Sequence, residues 1–434
     1  MSNRRIAILG LGYVGFPTAV IFASRGYNVI GADVNLKKVE SINAGRCYLK
    51  EPGLDVLLRA TVSKGLLRAT TDCVEAVRVS DAVIIAVPTP VVDNVVDLRY
   101  LGNALEFVKQ GLHKDLLVVI ESTMPPRTTV NFVKPLLESS GMLVEEDFYL
   151  AHVPERIAPG RAVEELLNVP RVVGGVGFKS TQRAMELYGR VNSNLLPTDA
   201  TTAEFVKLIE NTFRDLNIAY ANLLALMAER LGIDIYEAIR LANTHPRVSI
   251  LRPGAGVGGP CLTKDPYMLM GASRDIFGVE LIALARRIND YMPRHMVELV
   301  LRALDHEGIL VKDARVTVLG VAYKGDVDDV RGTPAKVIIE DLLRKGIRTV
   351  VYDPYTDVTF GAKGAGSIEE AVCDSDVLVI VTDHSMFKQL DLRRLGDLMR
   401  TRVIIDGRRV VDPCEAFKHG FRYYGIGFGK AFRL

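Results

Sequence analysis

Three groups of residues in this chain have types and spacings that could do chemistry. The first surrounds Cys261, which follows a run of glycines in GAGVGGPCLTKDPY, residues 254–267. A thiolate adds readily to a carbonyl carbon, and Lys264 together with a helix starting at Asp265-Pro266 would favour the deprotonated sulfur. Gly256, Gly258 and Gly259 would let the backbone bend closely around a substrate. A lone cysteine can equally be a small hydrophobe in a tight loop, which is the reading for Cys47, Cys73, Cys373 and Cys414, where no supporting cluster is found. The second group is Lys207 and Asn211 in EFVKLIENTF, four apart and so on one helix face. One charged and one neutral donor suit an oxyanion, although a solvated lysine beside a surface asparagine has the same spacing. The third is Gly10-x-Gly12-x-x-Gly15, with Tyr13 and Val14 inside the turn, directly after the apolar run IAIL and before the helical stretch FPTAVIFASRG. In such a turn the first glycine permits the bend, the second lets backbone approach a pyrophosphate, and the third lets helix and strand pack. Asp33 lies 18 residues beyond Gly15 at the end of the next apolar run, where a carboxylate accepts from ribose hydroxyls. That predicts NAD, since a 2′-phosphate would meet like charge.

The elements that must position these groups are legible as apolar runs. From Arg5 to about Thr198 the runs IAILG, NVIGADV, DAVIIAVP, LLVVIEST, FYLAHVP and RVVGG alternate with helical patterns, predicting a parallel sheet covered on both faces. Their ends carry polar residues: Thr89, then Glu121, Ser122 and Thr123, then Glu155 and Arg156. Ligands gather at such carboxyl ends. From Thr201 to Arg230 neither glycine nor proline occurs, and apolar residues recur at three and four, predicting one long helix. A further helical region covers roughly Tyr267 to Leu304. After Asp313 the alternation restarts with RVTVLGVAY, TVVYDP, DVLVIVTD and RVIIDG. The expected architecture is α/β: two Rossmann-like doubly wound domains, 1–198 and 313–434, joined by a mainly helical central region, 199–312.

Composition narrows the function classes. With 54 Lys plus Arg against 52 Asp plus Glu, and no basic run, nucleic acid is not an expected partner. No run of 18 apolar residues occurs, so no membrane helix is expected, and the glycines of the N-terminal run argue for a strand rather than a signal peptide. Five scattered cysteines fit neither a disulfide framework nor a zinc site and point to a reducing, cytoplasmic setting. His152 and His245 have no second ligand at zinc spacing, so no metal is expected, and a structural hydrogen-bonding role is predicted for both.

Taken in order, GLGYVG, ADVN, VPTP, ESTMPP, VPERIAPG, EFVKLIENTF, GVGGPCLTKDPY and AYKGDVDDVRGTPA resemble the nucleotide-sugar dehydrogenases, the family of UDP-glucose, GDP-mannose and UDP-N-acetylhexosamine 6-dehydrogenases. The resemblance runs from residue 6 to about residue 410. It implies a four-electron oxidation of a UDP-sugar at C6, consuming two NAD and one water. It implies that Cys261 attacks the C6 aldehyde, and that a thiohemiacetal and then a thioester follow. It further implies that Lys207 and Asn211 hold the oxyanion, that Thr123 and Asp265 position water and relay protons, and that Glu155 helps hydrolyse the thioester. Gly10, Gly12, Tyr13, Val14, Gly15, Asp33, Thr89, Thr123 and Arg331 are the implied cofactor contacts. Glu155, Arg156, Lys207, Asn211, Gly254, Gly258, Tyr323 and Lys324 are the implied substrate contacts, and Arg247 is implied to come from a neighbouring subunit, so that a homodimer or an assembly of dimers is expected.

Within the family the sequence is more similar to the branch acting on UDP-N-acetylhexosamines. The second glutamate of the UDP-glucose branch, four residues after the position of Glu155, is here Pro159, and His245 to Val248 read His-Pro-Arg-Val. The residue before the cysteine, often histidine in that branch, is Pro260. UDP-N-acetyl-D-mannosamine is favoured over UDP-N-acetylglucosamine and UDP-glucose. Two readings from other classes stand beside this one. A two-electron β-hydroxyacid dehydrogenase would need neither the cysteine nor the second α/β domain, and a non-catalytic UDP-sugar binder would bind without producing NADH.

Overall fold

A computed structural model describes residues 4–432. Two parallel-rich sheets account for the apolar runs. The first contains β1 (Arg5–Leu9), β2 (Asn28–Ala32), β3 (Leu67–Thr70), β4 (Ala82–Ile85), β5 (Leu117–Ile120), β6 (Tyr149–His152), β7 (Arg171–Gly175) and β8 (Leu195–Asp199), in the order β8-β7-β6-β5-β4-β1-β2-β3. The second contains β9 (Arg315–Leu319), β10 (Arg348–Tyr352), β11 (Lys363–Gly364), β12 (Val377–Ile380), β13 (Val403–Asp406) and β14 (Arg422–Gly425), ordered β11-β10-β9-β12-β13-β14. Six strands of the first sheet and all six of the second share one doubly wound order, 3-2-1-4-5-6, with the reversal beside the first strand where ligand crevices form.

Burial follows the pleat. Ile6 and Ile8 enter one apolar cluster while Ala7 and Leu9 enter the cluster on the opposite face. In β12, Val377 and Val379 pack on one side and Leu378 and Ile380 on the other. Strands buried on both faces read as continuous apolar runs, and emptying one such site, as in Ile8→Ala, costs ~2–5 kcal/mol.

The chain divides into two compact units. One runs to Glu210 and includes Tyr267–Asp275; the other holds Asn211–Pro266 and Ile276–Leu434. After α1 (Gly15–Ser24), the principal helices are α2 (Ala200–Leu231), α3 (Asp265–Gly271), α4 (Glu280–His306) and α5 (Pro334–Arg344). The 32-residue α2 extends the expected helix by one residue at each end. The region expected to be helical from Tyr267 to Leu304 is two helices, α3 and α4, interrupted at 272–279, where Gly278 takes φ +88°. The first sheet is mixed rather than parallel, because β7 runs antiparallel to β6.

Candidate functional site

Within the first unit, the glycine turn has the shape its spacing requires. Gly10 sits at φ +91°, and a Cβ there would lie 2.5 Å from the Ala86 carbonyl oxygen. A Cβ on Gly15 would fall 1.9 Å from the Gly10 oxygen, so only glycine lets α1 come this close. Gly12 faces open space, with nothing within 4 Å of the equivalent position. Tyr13 is exposed and Val14 half-buried, and α1 opens with no side-chain cap and no acid in its first turn. Phe16 N donates to the Gly12 carbonyl and Pro17 has no N–H, so the positive dipole end of α1 and the backbone of the turn are what an anion would meet, and the turn fits a dinucleotide pyrophosphate.

Asp33 ends β2 and is 8% exposed. Its Oδ2 accepts from Leu11 N at 2.8 Å and Lys38 Nζ at 3.0 Å, and its Oδ1 accepts from Asn35 N. The carboxylate therefore ties the glycine turn to the end of β2. Thr89, beyond β4, donates to the carbonyl oxygen of Thr123, beyond β5, at 2.7 Å. The two polar strand ends are thereby joined.

Neighbouring polar residues at these ends are spent internally. Glu121 accepts from Arg171 Nη2 at 3.0 Å and Tyr188 Oη at 2.8 Å, all three buried. Ser122 Oγ donates to the Val87 carbonyl and accepts from its N–H. Glu204, on α2 and fully buried, accepts from Arg127 N, Thr129 N and Thr129 Oγ1, which fastens the turn that carries Thr123. Burial pushes the Glu204 carboxyl up to about 7 against those donors.

Glu155 is 7% exposed and accepts from Ile157 N. Arg156 is paired with Glu210, its Nε 3.2 Å from Oε2, and donates from Nη1 to the Pro170 carbonyl. The Pro159 segment is anchored by Glu51, whose oxygens accept from Gly160 N and Ala162 N, an anchor the sequence did not expose because the two are over a hundred residues apart. His152, expected to be held by hydrogen bonds, has the Ile120 backbone beside it, which raises its pKa against the larger effect of burial. It is fully buried at the end of β6, neither ring nitrogen makes a hydrogen bond of good geometry, and burial foremost lowers its pKa to about 3. Lys207 is 6% exposed, one turn before Asn211, also 6%; neither is a solvated surface residue.

In the second unit the cysteine loop is built tightly. Asn211 Nδ2 donates to Asp265 Oδ2 at 2.6 Å, and Lys264 Nζ stands 3.5 Å from Asp265 Oδ1. Asp265 opens α3 and is fully buried. Its N–H and that of Lys264 both donate to the Cys261 carbonyl, at 2.8 and 3.0 Å, so the sulfur is carried on the first turn into α3. Cys261 is half-buried and forms no disulfide. A Cβ on Gly258 would lie 2.7 Å from Tyr323 Cβ, and one on Gly259 2.8 Å from the Tyr323 ring. Gly259 N donates to the Arg331 carbonyl, and the Arg331 guanidinium is held by Asp329, Nη2 to Oδ2 at 2.6 Å. Tyr323 titrates late, pushed up to about 12 chiefly by burial, with the charges of Asp329 and Cys261 adding to it. Lys324 is exposed.

This unit therefore brings Asn211, Gly258, Cys261, Asp265, Tyr323 and Arg331 together. It does not bring in Arg247, which is exposed on the 243–250 loop and makes no side-chain hydrogen bond or ion pair among the described residues. Arg408 is an unforeseen member: its Nη2 donates to the Gly256 carbonyl at 3.2 Å, and a Cβ on Gly254 would lie 2.7 Å from its Nη1. The sequence signal was the arginine pair directly after RVIIDG. No cluster of three or more His, Cys, Asp or Glu able to hold a metal occurs among the described residues, nor is any helix there long and apolar enough to cross a membrane.

Family models match in three consecutive segments: the NAD binding domain over residues 4–192, the central domain over 201–291 and the UDP binding domain over 317–413, all of the UDP-glucose/GDP-mannose dehydrogenase family. The chain belongs to that family. It is an NAD-dependent nucleotide-sugar dehydrogenase, an oxidoreductase, and the UDP binding domain match spans strands β10 to β13 of its second sheet and most of β9. Among its relatives, a UDP-N-acetyl-D-mannosamine dehydrogenase of Pyrococcus horikoshii is 45% identical over 98% of this chain and 99% of its own. The solved structure of the enzyme of that name from P. horikoshii superposes with a TM-score of 0.92 at 44% identity, covering 98% of this chain and 100% of that one. An NDP-N-acetyl-D-galactosaminuronic acid dehydrogenase of Ralstonia nicotianae is 39% identical over 93% of this chain and 96% of its own.

Proposed function

We propose that the protein oxidises the C6 hydroxyl of a UDP-N-acetylhexosamine, UDP-N-acetyl-D-mannosamine before its epimers, to the uronate. Each of the two oxidations removes one hydride, which NAD accepts when bound, so one sugar and one water yield one carboxylate and two NADH. The alcohol first becomes the aldehyde. Cys261 Sγ then adds to the aldehyde carbon, because that carbon can give up a second hydride only once a nucleophile occupies it. The thiohemiacetal is oxidised to a thioester, and water cleaves the new C–S bond, returning the thiol.

Lys207 and Asn211 stabilise the oxyanion, Asn211 being aimed by its bond to Asp265. Thr123 and Asp265 position water and relay protons, and Glu155 assists thioester hydrolysis. Gly10, Gly12, Tyr13, Val14, Gly15, Asp33, Thr89 and Arg331 serve the cofactor. Arg156, Gly254, Gly258, Tyr323 and Lys324 serve the UDP-sugar. Segments 1–198, 199–312 and 313–434 divide this work as cofactor, central and UDP-sugar domains. Arg247 serves the sugar site of a second copy, which its exposure and the lack of side-chain partners among the described residues support. The apolar face of α2, with Phe213 62%, Tyr220 52% and Leu231 58% exposed, supports a homodimer or an assembly of dimers.

The observation that carries the thioester route is the bonded set Asn211, Asp265 and Cys261. The sugar rests on the pattern around Glu155 and Pro159 and on the names of the relatives. It is tested by kcat/KM for UDP-N-acetylmannosamine, UDP-N-acetylglucosamine and UDP-glucose with NAD. The expected order has the mannosamine sugar first; UDP-glucose as the best substrate overturns the assignment.

A further inference from the structure

The two ends of the cysteine loop are joined by a string of buried polar side chains that none of the roles above uses. At one end Gly254 N donates to Asn222 Oδ1 at 2.9 Å. Asn222 Nδ2 donates to Asn289 Oδ1 at 2.9 Å, and Asn289 Nδ2 to Asp215 Oδ1 at 2.8 Å. Arg286 closes the string, its Nη1 donating both to Asp215 Oδ1 at 2.6 Å and to the carbonyl of Leu262, the residue after Cys261, at 3.3 Å. Asp215 and Asn222 are fully buried, Asn289 is 1% and Arg286 3% exposed.

The string has a single polarity. A backbone N–H only donates, so Asn222 must present its oxygen to Gly254 and its amide nitrogen to Asn289. Asn289 must then offer its nitrogen to Asp215, a pure acceptor that also receives Arg286. Both amides are fixed at each end, although Asp215 Oδ2 has no hydrogen-bond partner; a continuous chain of buried hydrogen bonds of this kind resists local motion. It sits between α2 and α4 and takes hold of the backbone on both sides of the glycines, whose own freedom would otherwise leave the loop loose.

We propose that this string sets the position of the Cys261 sulfur, which makes Asn222 and Asn289 positioning residues for the reaction. The proposal rests on the reading of Cys261 as the nucleophile. A displacement of about 1 Å in a reacting group costs up to roughly 100-fold in rate, so the effect falls on kcat rather than on sugar binding.

The test uses full-length Asn222→Asp and Asn289→Ala. The first keeps the volume but sets acceptor against acceptor at Asn289; the second is neutral and separates lost positioning from added charge. Expected are a kcat lowered ~10- to 100-fold with KM within about threefold, and a changed pH profile for iodoacetamide alkylation, read by mass spectrometry at the Cys261 peptide. Wild-type kcat and alkylation profile in both variants overturn the proposal. If neither variant folds, hydrogen exchange of the wild type decides. Protection of Gly254 N–H at the level of the α4 core supports the string, and exchange as a free loop refutes it. Cys261→Ser tests the nucleophile separately: full activity there removes that reading, while alkylation and exchange still judge the hold on the loop.

Discussion

Two buried groups of the first unit should impose opposite pH dependences on its stability, and removing either should unmask the other. His152 is fully buried, with ring nitrogens that make no hydrogen bond of good geometry and a pKa lowered to about 3. The unfolded chain takes up a proton near pH 6.5 that the folded chain refuses, so this contribution is lost as pH falls below 6.5. Glu204, raised to about 7, behaves oppositely: the folded chain keeps a proton that the unfolded chain releases from about 4.5, so stability is lost as pH rises from 4.5 to 7. At about 1.4 kcal/mol per pH unit the two slopes nearly cancel between pH 4.5 and 6.5. His152→Phe removes the first slope and two buried polar atoms without a well-formed hydrogen bond, whose burial costs ~1–3 kcal/mol each. The variant should therefore gain on wild type by about 2 kcal/mol between pH 7.5 and pH 5. Glu204→Gln should gain by a similar ~2 kcal/mol in the other direction, from pH 5 to pH 7. The assay is urea unfolding followed by far-UV circular dichroism, since the chain has no tryptophan to report by fluorescence. A His152→Phe variant whose difference from wild type does not change with pH would refute the assignment of a buried neutral imidazole.

Other consequences are accessible to simpler experiments. Breaking the Glu121–Arg171 pair from one side, by Arg171→Met, leaves a buried carboxylate uncompensated and should cost ~3–5 kcal/mol, whereas the double variant with Glu121→Leu should recover part of it; chemical denaturation of the three variants measures this. Gly258→Ala puts a methyl 2.7 Å from Tyr323 Cβ and should destabilise by ~1–3 kcal/mol while lowering activity, because the cysteine loop must shift. Asp33→Ala withdraws the acceptor for Leu11 N together with the carboxylate proposed to serve the ribose. The KM for NAD should rise at least ~10-fold, and a KM equal to wild type would show that Asp33 serves the turn alone.

Much of this arrangement was legible because local chemistry and tertiary role coincide. The Gly10, Gly12 and Gly15 turn is read from steric needs that hold wherever a strand meets a helix so closely, and the long α2 from uninterrupted periodicity. What escaped is non-local or short. Strands β3 and β8 carry charged or polar residues on exposed edges, β11 is only two residues long, and β14, RYYG, lacks an apolar run. The reversed direction of β7 is silent because an apolar run fits a buried strand of either direction. The two-helix division after Tyr267 was blurred by apolar residues at 276 and 277 that stand exposed between α3 and α4. In the site, Cys261, Asn211 and Asp265 stand out by type and spacing, and the family resemblance adds the roles implied for them. Arg408, Glu204 and the asparagine string depend on partners tens of residues away, which no local pattern announces.

The proposed thioester route requires one sugar to give up two hydrides through a covalent sulfur intermediate. The direct measurement is NADH formed per UDP-N-acetylmannosamine consumed, by wild type and by Cys261→Ser. A ratio of two is expected for wild type, and arrest before the carboxylate in the variant. A ratio of one, or a variant that still makes the uronate at the wild-type rate, would contradict it and leave Cys261 a small residue in a tight loop.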